Sequence, residues 1–296
     1  MRGALLAALA LLGCASRAPR PRALAAPVDA AAPVAATAPG PDPCGATRRD
    51  AACFPAGLSL LGADTTEDHF ELRPARAARL RAFSLDRAEV DAARYRECVA
   101  AGRCAPMRCD ADVPAAAPAR CLAWADARAY CAFRGGRLPS EAEWQRAAAG
   151  PLELSRPYPY GAAAAAADAA VDDLTPEGIR DLAGSVAEWV DDPGNFYPAL
   201  PELPRLDAAV DAAVDAALAE LPPRTDAGLF IYDDPRGAQR GPWRVVRGGD
   251  ARLPWGQCTS ALRRMRLPTE ALPWVGVRCA YDPESPSPAG PTRPYS

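Results

Sequence analysis

The chain has 296 residues, with 34 arginines and no lysine set against 37 Asp and Glu, for a net charge of -3. That balance excludes a strongly basic nucleic-acid footprint, and the missing lysine excludes a P-loop lysine, a Schiff base or a lysine general base. One histidine, His69, excludes a two- or three-histidine zinc or iron site within the chain.

At the N-terminus, Arg2 precedes an apolar run over residues 4–12 that ends Leu11-Leu12-Gly13-Cys14. The run is too short for a permanent membrane span and reads as an export signal. Leu-Leu-Gly-Cys resembles a bacterial lipobox, in which Cys14 becomes the acylated N-terminus. An ordinary signal peptide with an incidental cysteine is the plainer alternative. Gly13 before the cysteine and Ala15-Ser16 after it favour lipidation. Ala15 is also not the Asp associated with inner-membrane retention, which points to an outer-membrane or periplasmic location in a bacterium. The lipid would be the only membrane attachment.

Residues 15–43 are almost entirely Ala, Pro, Arg and Val. Such a stretch buries too little apolar surface to offset its ordering entropy and is expected to be a flexible tether. Residues 282–296 are Pro- and Ser-rich and are expected to be disordered. Residues 44–281 between them fit one large domain. Alanine inflates the apolar content, so the six tryptophans and scattered Leu, Val and Phe are expected to supply the core.

Arg73, Arg76, Arg79 and Arg81 cluster without interleaved aromatic residues and read as a solvated face. His69 lies in the polar run 64–71 and reads as a surface residue. Near the middle of the chain, Gly135 and Gly136 permit a tight turn, and Pro139 sets an extended entry to the next segment. Ser140 stands three residues before Glu143, the spacing of a capping box, with Pro139 and Trp144 at the staple positions. A helix is expected to start there. Residues 206–221 carry Leu206, Val210, Val214 and Leu218 in steps of four beside Asp207, Asp211 and Asp215. They predict an inserted amphipathic helix with a thin apolar stripe, lying across the domain surface. Residues 162–167, all alanine, read as filler. The carboxylate pairs Glu141/Glu143 and Asp191/Asp192 read as capping and solvated loop charge rather than as acid–base machinery.

Several blocks, in order, resemble a known family. Phe83-Ser84-Leu85-Asp86-Arg87-Ala88-Glu89-Val90, Trp124-Ala125-Asp126-Ala127-Arg128-Ala129-Tyr130-Cys131 and Gly135-Gly136-Arg137-Leu138-Pro139-Ser140-Glu141-Ala142-Glu143-Trp144 come first. Tyr158-Pro159-Tyr160-Gly161, Asp181-Leu182-Ala183-Gly184-Ser185-Val186-Ala187-Glu188-Trp189, Arg244-Val245-Val246-Arg247-Gly248-Gly249 and Gly276-Val277-Arg278 come after them. Together they resemble the formylglycine-generating enzyme (sulfatase-modifying factor) family. The resemblance implies a modified C-type-lectin-like α+β fold, with a small antiparallel sheet and much irregular structure.

Ten cysteines in an exported chain point to disulfides. The resemblance implies a bridge between Cys131 and Cys279. Sequence proximity suggests Cys44–Cys53, Cys98–Cys104 and Cys109–Cys121, although spacing alone does not fix connectivity. Cys258 is then the odd one.

Catalytic members of the family place a pair of cysteines soon after R-V-x-R-G-G-S, and this pair binds copper(I) and activates oxygen. Cu(I) is a soft ion that takes two thiolates. The corresponding stretch here, residues 250–264, holds only Cys258, with Asp250 in place of the serine. Cys104 and Cys109 have a similar gap but lie in the wrong part of the chain. The resemblance therefore implies a pseudoenzyme: a non-catalytic binding or scaffolding module needing no cofactor. Its groove would be flanked by Arg252, Trp255, Cys258 and Arg263 and would take a protein, peptide or glycan ligand at the cell envelope, not nucleic acid. The alternative is a copper-dependent formylglycine-generating oxidase that acts on protein cysteine through Cys258. Relatives also use the G-N-V-x-E-W loop to ligate a structural calcium. Glu188 is the ligand candidate here, while Ser185 replaces the amide-bearing Asn; a bland loop and a calcium-bound one both stay open.

Overall fold

The computed structural model describes residues 43–44, 48–64, 72–108, 113–161, 171–197, 223–235 and 241–283. Cys14, the tether over 15–42, His69, Cys109, the alanine run 162–167, the helix expected over 206–221 and the tail from 284 onward lie outside the described residues.

The described residues form three small sheets and three helices. In the first sheet, β4 (Phe83–Asp86) runs antiparallel between β1 (Ala51–Phe54) and β10 (Ala280–Tyr281). In the second, β2 (Gly57–Leu61) is antiparallel to β3 (Arg76–Leu80), which pairs in parallel with β6 (Ile231–Asp233). The third is ordered β8 (Arg263–Arg266), β7 (Trp243–Arg247), β5 (Ala187–Gly194) and β9 (Val275–Gly276). Its outer pair, β5 with β9, is parallel, and a bulge interrupts β5 between Trp189 and Pro193. With α1 (Ala92–Ala100) and α2 (Trp124–Phe133), this is the expected α+β architecture.

The third helix, α3 (Glu141–Ala149), sits at the centre, against β2, β3, β5 and β7, with every residue buried. Its start is the predicted capping box. The Glu143 amide donates to Ser140 Oγ at 3.2 Å, and the Ser140 amide donates to Glu143 Oε2 at 2.7 Å. A third capping contact comes from across the fold, where Asp192 Oδ2 accepts from the Glu141 amide at 2.7 Å. Asp192 is 1% exposed, so it is a capping residue on β5 and not solvated loop charge. The turn before the helix needs its glycine, since Gly135 has φ of +74°.

Two apolar clusters flank α3. One gathers Tyr95, Leu122, Tyr130, Leu138, Trp189 and Val277, and the other Phe54, Phe83, Leu85, Trp144 and Val245. Of the six tryptophans only Trp144 and Trp189 are fully buried, which corrects the expectation that all six build the core. Alanine does more than expected: Ala77, Ala78, Ala142, Ala147, Ala148 and Ala149 are buried, and their small side chains let strands approach the helix closely. The arginine cluster is not a uniform solvated face either. Arg76 is 4% exposed and stacks on the rings of Tyr197 and Tyr232, while Arg79 and Arg81 pair with Asp233 and Asp234.

Disulfides join Cys44 to Cys53, Cys98 to Cys104 and Cys131 to Cys279. The last ties α2 to the residue before β10 across 148 positions of sequence. Cys121 is disulfide-bonded, and Cys109, the partner expected for it, lies outside the described residues.

Candidate functional site

The segment joining β7 to β8 folds over the loop that leads into β5. At its base lies Cys258, 1% exposed, with Sγ donating to the Pro254 carbonyl at 3.5 Å. Gly249 packs so closely there that a Cβ would collide with Cys258 Sγ and the Ala183 carbonyl. Burial, with the Asp250 and Asp173 carboxylates nearby, pushes the Cys258 thiol up to about 11. At neutral pH it is a thiol rather than a nucleophilic thiolate.

Asp250 is buried beside it. Its Oδ1 accepts from Arg252 Nε at 2.6 Å and its Oδ2 from Arg264 Nη1 at 2.9 Å. Burial alone would raise this carboxyl, but hydrogen bonds from Arg252 and Arg264 more than offset it and hold it below the usual range. Arg252, Arg264 and Arg266 lie over the Trp274 ring at 4.3, 4.5 and 5.0 Å. Arg252 is the exposed member, so it offers a guanidinium to solvent beside a half-buried indole.

Trp255 sits in a short 3₁₀ turn, its ring edge against Gly184, where a Cβ would lie 2.8 Å from it. The Tyr-Pro-Tyr-Gly block clasps the turn from the other side. Tyr160 Oη donates to the Trp255 carbonyl at 3.0 Å and Tyr158 Oη to the Gly256 carbonyl at 3.2 Å. The Tyr160 and Trp255 rings meet edge to face at 5.9 Å. Arg252, Trp255 and Cys258 thus fall in one loop, with Cys258 under its surface.

Arg263 does not join them. Its side chain is 0% exposed, and it donates through Nε to Glu141 Oε1 at 2.6 Å and through Nη2 to Oε2 at 3.2 Å. Its place as a groove residue is therefore corrected, because the guanidinium is held in the core by α3. Arg247 shares the same carboxylate at 3.3 Å, as does Tyr197 Oη at 2.8 Å. Glu141, read from sequence as capping or solvated charge, is 1% exposed and is the hub of this network. Burial would raise its carboxyl, yet Arg263 and Arg247 hold it below the usual value.

Glu188 is also occupied. Its carboxylate accepts from Trp144 Nε1 at 2.6 Å and from Arg278 Nε at 2.9 Å, and all three side chains are buried. Ser185 Oγ in turn donates to Glu89 Oε2 at 2.7 Å. The Glu188 carboxylate, the candidate calcium ligand, is thus taken up by protein donors inside the core. Among the described residues no group of three or more His, Cys, Asp or Glu converges as a metal set. Copper(I) fits no better: it takes two thiolates, and among the described residues Cys258 is the free cysteine, with no second free thiol.

Sequence reading missed Asp173. Its Oδ2 accepts from the Ala183 and Gly184 amides at 2.7 and 2.9 Å, which shapes the loop under Trp255. Its only local signal was two consecutive aspartates in an irregular stretch. The buried arginines 247, 263 and 278 each fall in or beside a recognised block, but nothing local marks them as buried.

This architecture is that of a lectin-like α+β domain of the formylglycine-generating type. Residues 36–283 match the sulfatase-modifying factor enzyme 1-like domain, and the chain belongs to that family. Over 191 residues it is 28% identical to a formylglycine-generating enzyme of Thermomonospora curvata, a match covering 55% of this chain and 54% of that protein. A 40-residue stretch is 58% identical to the inactive C-alpha-formylglycine-generating enzyme 2 of Bos taurus, covering 14% of this chain and 13% of that protein. The chain thus spans about half of the first relative and far less of the second. The fold matches that of PvdO from Pseudomonas aeruginosa with a TM-score of 0.55 at 20% identity, covering 83% of this chain and 100% of that one.

Proposed function

We propose that this chain is an exported, lipid-anchored envelope protein whose domain is a non-catalytic binding or scaffolding module. The observation that carries the reading is Cys258: buried, and the free cysteine among the described residues, with no second free thiol. Copper-dependent oxygen activation on this fold calls for a thiolate pair, and Cys258 offers one sulfur. The short match to a mammalian relative described as inactive is consistent with a domain that keeps its fold without its chemistry.

In this reading the ligand, a protein, peptide or glycan at the envelope, rests on the β7–β8 loop with Arg252 and Trp255, beside Trp274 from the segment before β9. An exposed guanidinium beside half-buried aromatic faces suits a surface that is partly polar and partly apolar. The rival reading, an oxidase acting on protein cysteine, is favoured by the identity to the Thermomonospora enzyme. Thiol alkylation with mass spectrometry, paired with a Cu(I) competition titration of the full chain, separates the two. The binding module gives at most one alkylatable thiol, reached only on unfolding, and no stoichiometric Cu(I). Two reduced thiols with one equivalent of tightly held Cu(I) would establish the oxidase.

A further inference from the structure

Successive side chains of β8 alternate between the two faces of its sheet. Arg263 turns to Glu141 in the core, whereas Arg264 and Arg266 lie on the opposite face, over the Trp274 ring at 4.5 and 5.0 Å. The register sets Arg244 of β7 directly across from Arg266, and Arg244 lies 4.0 Å over the ring of Trp124. Arg252 reaches Trp274 from the β7–β8 loop at 4.3 Å. Four half-buried or exposed guanidinia therefore gather at one face of the sheet around two half-buried indoles.

By itself this arrangement is unfavourable. Like charges directly opposite on neighbouring strands destabilise a sheet. The carboxylate among them, Asp250, is already engaged by Arg252 and Arg264. Arg264 is still held below its usual value, first by burial and further by the charges of Arg266 and Arg252. Arg244 and Arg266 meet only carbonyls: Nη1 of Arg244 donates to Asp191 at 3.0 Å, and Nη1 of Arg266 to Met265 at 2.7 Å. Neither forms an ion pair among the described residues, although the Asp191 side chain lines the same cleft as Trp124 and Arg244. A guanidinium carries five N–H donors, so each keeps donors for a further acceptor. An anion on this surface would satisfy them and relieve the crowding.

Geometry selects among anions. Guanidinia already lie over both indoles, so these rings offer little face for a sugar or a nucleobase to stack on. The stacked guanidinia present their N–H edges instead, which suit carboxylates. Arg264 and Arg266 are two residues apart on one face, about 7 Å, and an extended peptide repeats its alternate side chains at the same interval. The edge of β8 does not add the peptide as a strand, because Arg266 takes the Met265 carbonyl and Glu270 the Leu267 amide. We infer that this surface holds an extended acidic segment of a protein partner, with Asp or Glu at alternate positions, through Arg244, Arg252, Arg264 and Arg266. The inference rests on the reading of the domain as a binding module and names the chemistry of its partner.

The test is titration calorimetry of the full chain at low salt with three hexapeptides, Ser-Glu-Ser-Glu-Ser-Glu, Glu-Glu-Glu-Ser-Ser-Ser and Ser-Gln-Ser-Gln-Ser-Gln, and with an alginate oligosaccharide as a polyanion that is not a peptide. The alternating acidic peptide is expected to saturate one site, the block peptide to bind about threefold more weakly, and the glutamine peptide not to bind. Salt at about 0.5 M should abolish the binding. Arg244→Gln and Arg266→Gln should each weaken it about threefold and together about tenfold, whereas Arg79→Gln, whose partner is Asp233 in another sheet, leaves it unchanged. Either substitution relieves the like-charge pair, so the urea midpoint should hold; where Arg266→Gln folds poorly, Arg244→Gln with Arg252→Gln carries the same test. No saturable binding of the alternating acidic peptide, equal binding of the glutamine peptide, tighter binding of alginate, or full affinity in the double variant would overturn the inference. Those results leave the binding module standing, while stoichiometric Cu(I) would remove the module whatever the peptides do.

Discussion

Arg263 and Glu141 meet in the core through a two-point contact, Nε to Oε1 at 2.6 Å and Nη2 to Oε2 at 3.2 Å, although 122 residues separate them in sequence. Arg247 adds a second buried guanidinium to the same carboxylate. One anion thus holds two cations that water cannot reach, and the start of α3 is locked to β7 and β8.

Glu141→Gln is therefore expected to destabilise the domain by about 3–5 kcal/mol, since it leaves two buried arginines short of their counter-charge. Glu143→Gln, which weakens a capping contact and a half-buried pair with Arg137, should cost only about 1 kcal/mol. Urea unfolding of both variants checks the ranking. The Glu141 carboxyl is held below its ordinary value of 4.5, so its contribution is full above that pH and is lost as pH falls through the folded value. The acid limb of the stability profile should flatten in Glu141→Gln.

Glu89 behaves in the opposite sense. Burial first, and then the neighbouring Glu188, push its carboxyl well above the ordinary value, with Ser185 Oγ and the Val186 amide as donors. Stability from its protonated form is present below 4.5 and lost as pH rises through the folded value. Glu89→Gln keeps the shape and one acceptor oxygen for the Val186 amide, leaves the Ser185 hydroxyl to turn and accept, and removes the buried ionisable group, so it should raise the urea midpoint at neutral pH. A lower midpoint would mean that Arg278 holds Glu89 as a carboxylate.

Cys258 makes a prediction on the alkaline side. Its folded value of about 11 lies above the ordinary 9.0, so the thiol form contributes stability below 9.0 that disappears as pH climbs through 11. Native alkylation by iodoacetamide at neutral pH should be at least about a hundredfold slower than in the unfolded chain, because both burial and protonation suppress it. Cys258→Ala should remove the part of the alkaline decline that falls between those two values.

The disulfides should differ in weight. The Cys131–Cys279 bridge closes 148 residues and the Cys98–Cys104 bridge only 6. Loop-closure entropy then assigns about 5 kcal/mol to the first and about 2 kcal/mol to the second. Paired alanine substitutions compared by thermal unfolding test that order.

What the sequence determined by itself was whatever rests on residues close together along the chain. The capping box of Ser140 and Glu143 closes within one helical turn, and the Cys44–Cys53 and Cys98–Cys104 bridges link neighbours, so short-range geometry was enough. The ordered blocks likewise carried the family and its α+β fold, while the Cys131–Cys279 bridge came from the resemblance rather than from spacing. Tertiary structure alone decided the fate of the charges. Glu141, Glu188 and Asp192 look like solvated carboxylates in a linear reading, and Arg263 looks like a groove residue. Each of these stays in the core because a partner arrives from elsewhere in the chain, and those partners lie from 51 to 122 residues away.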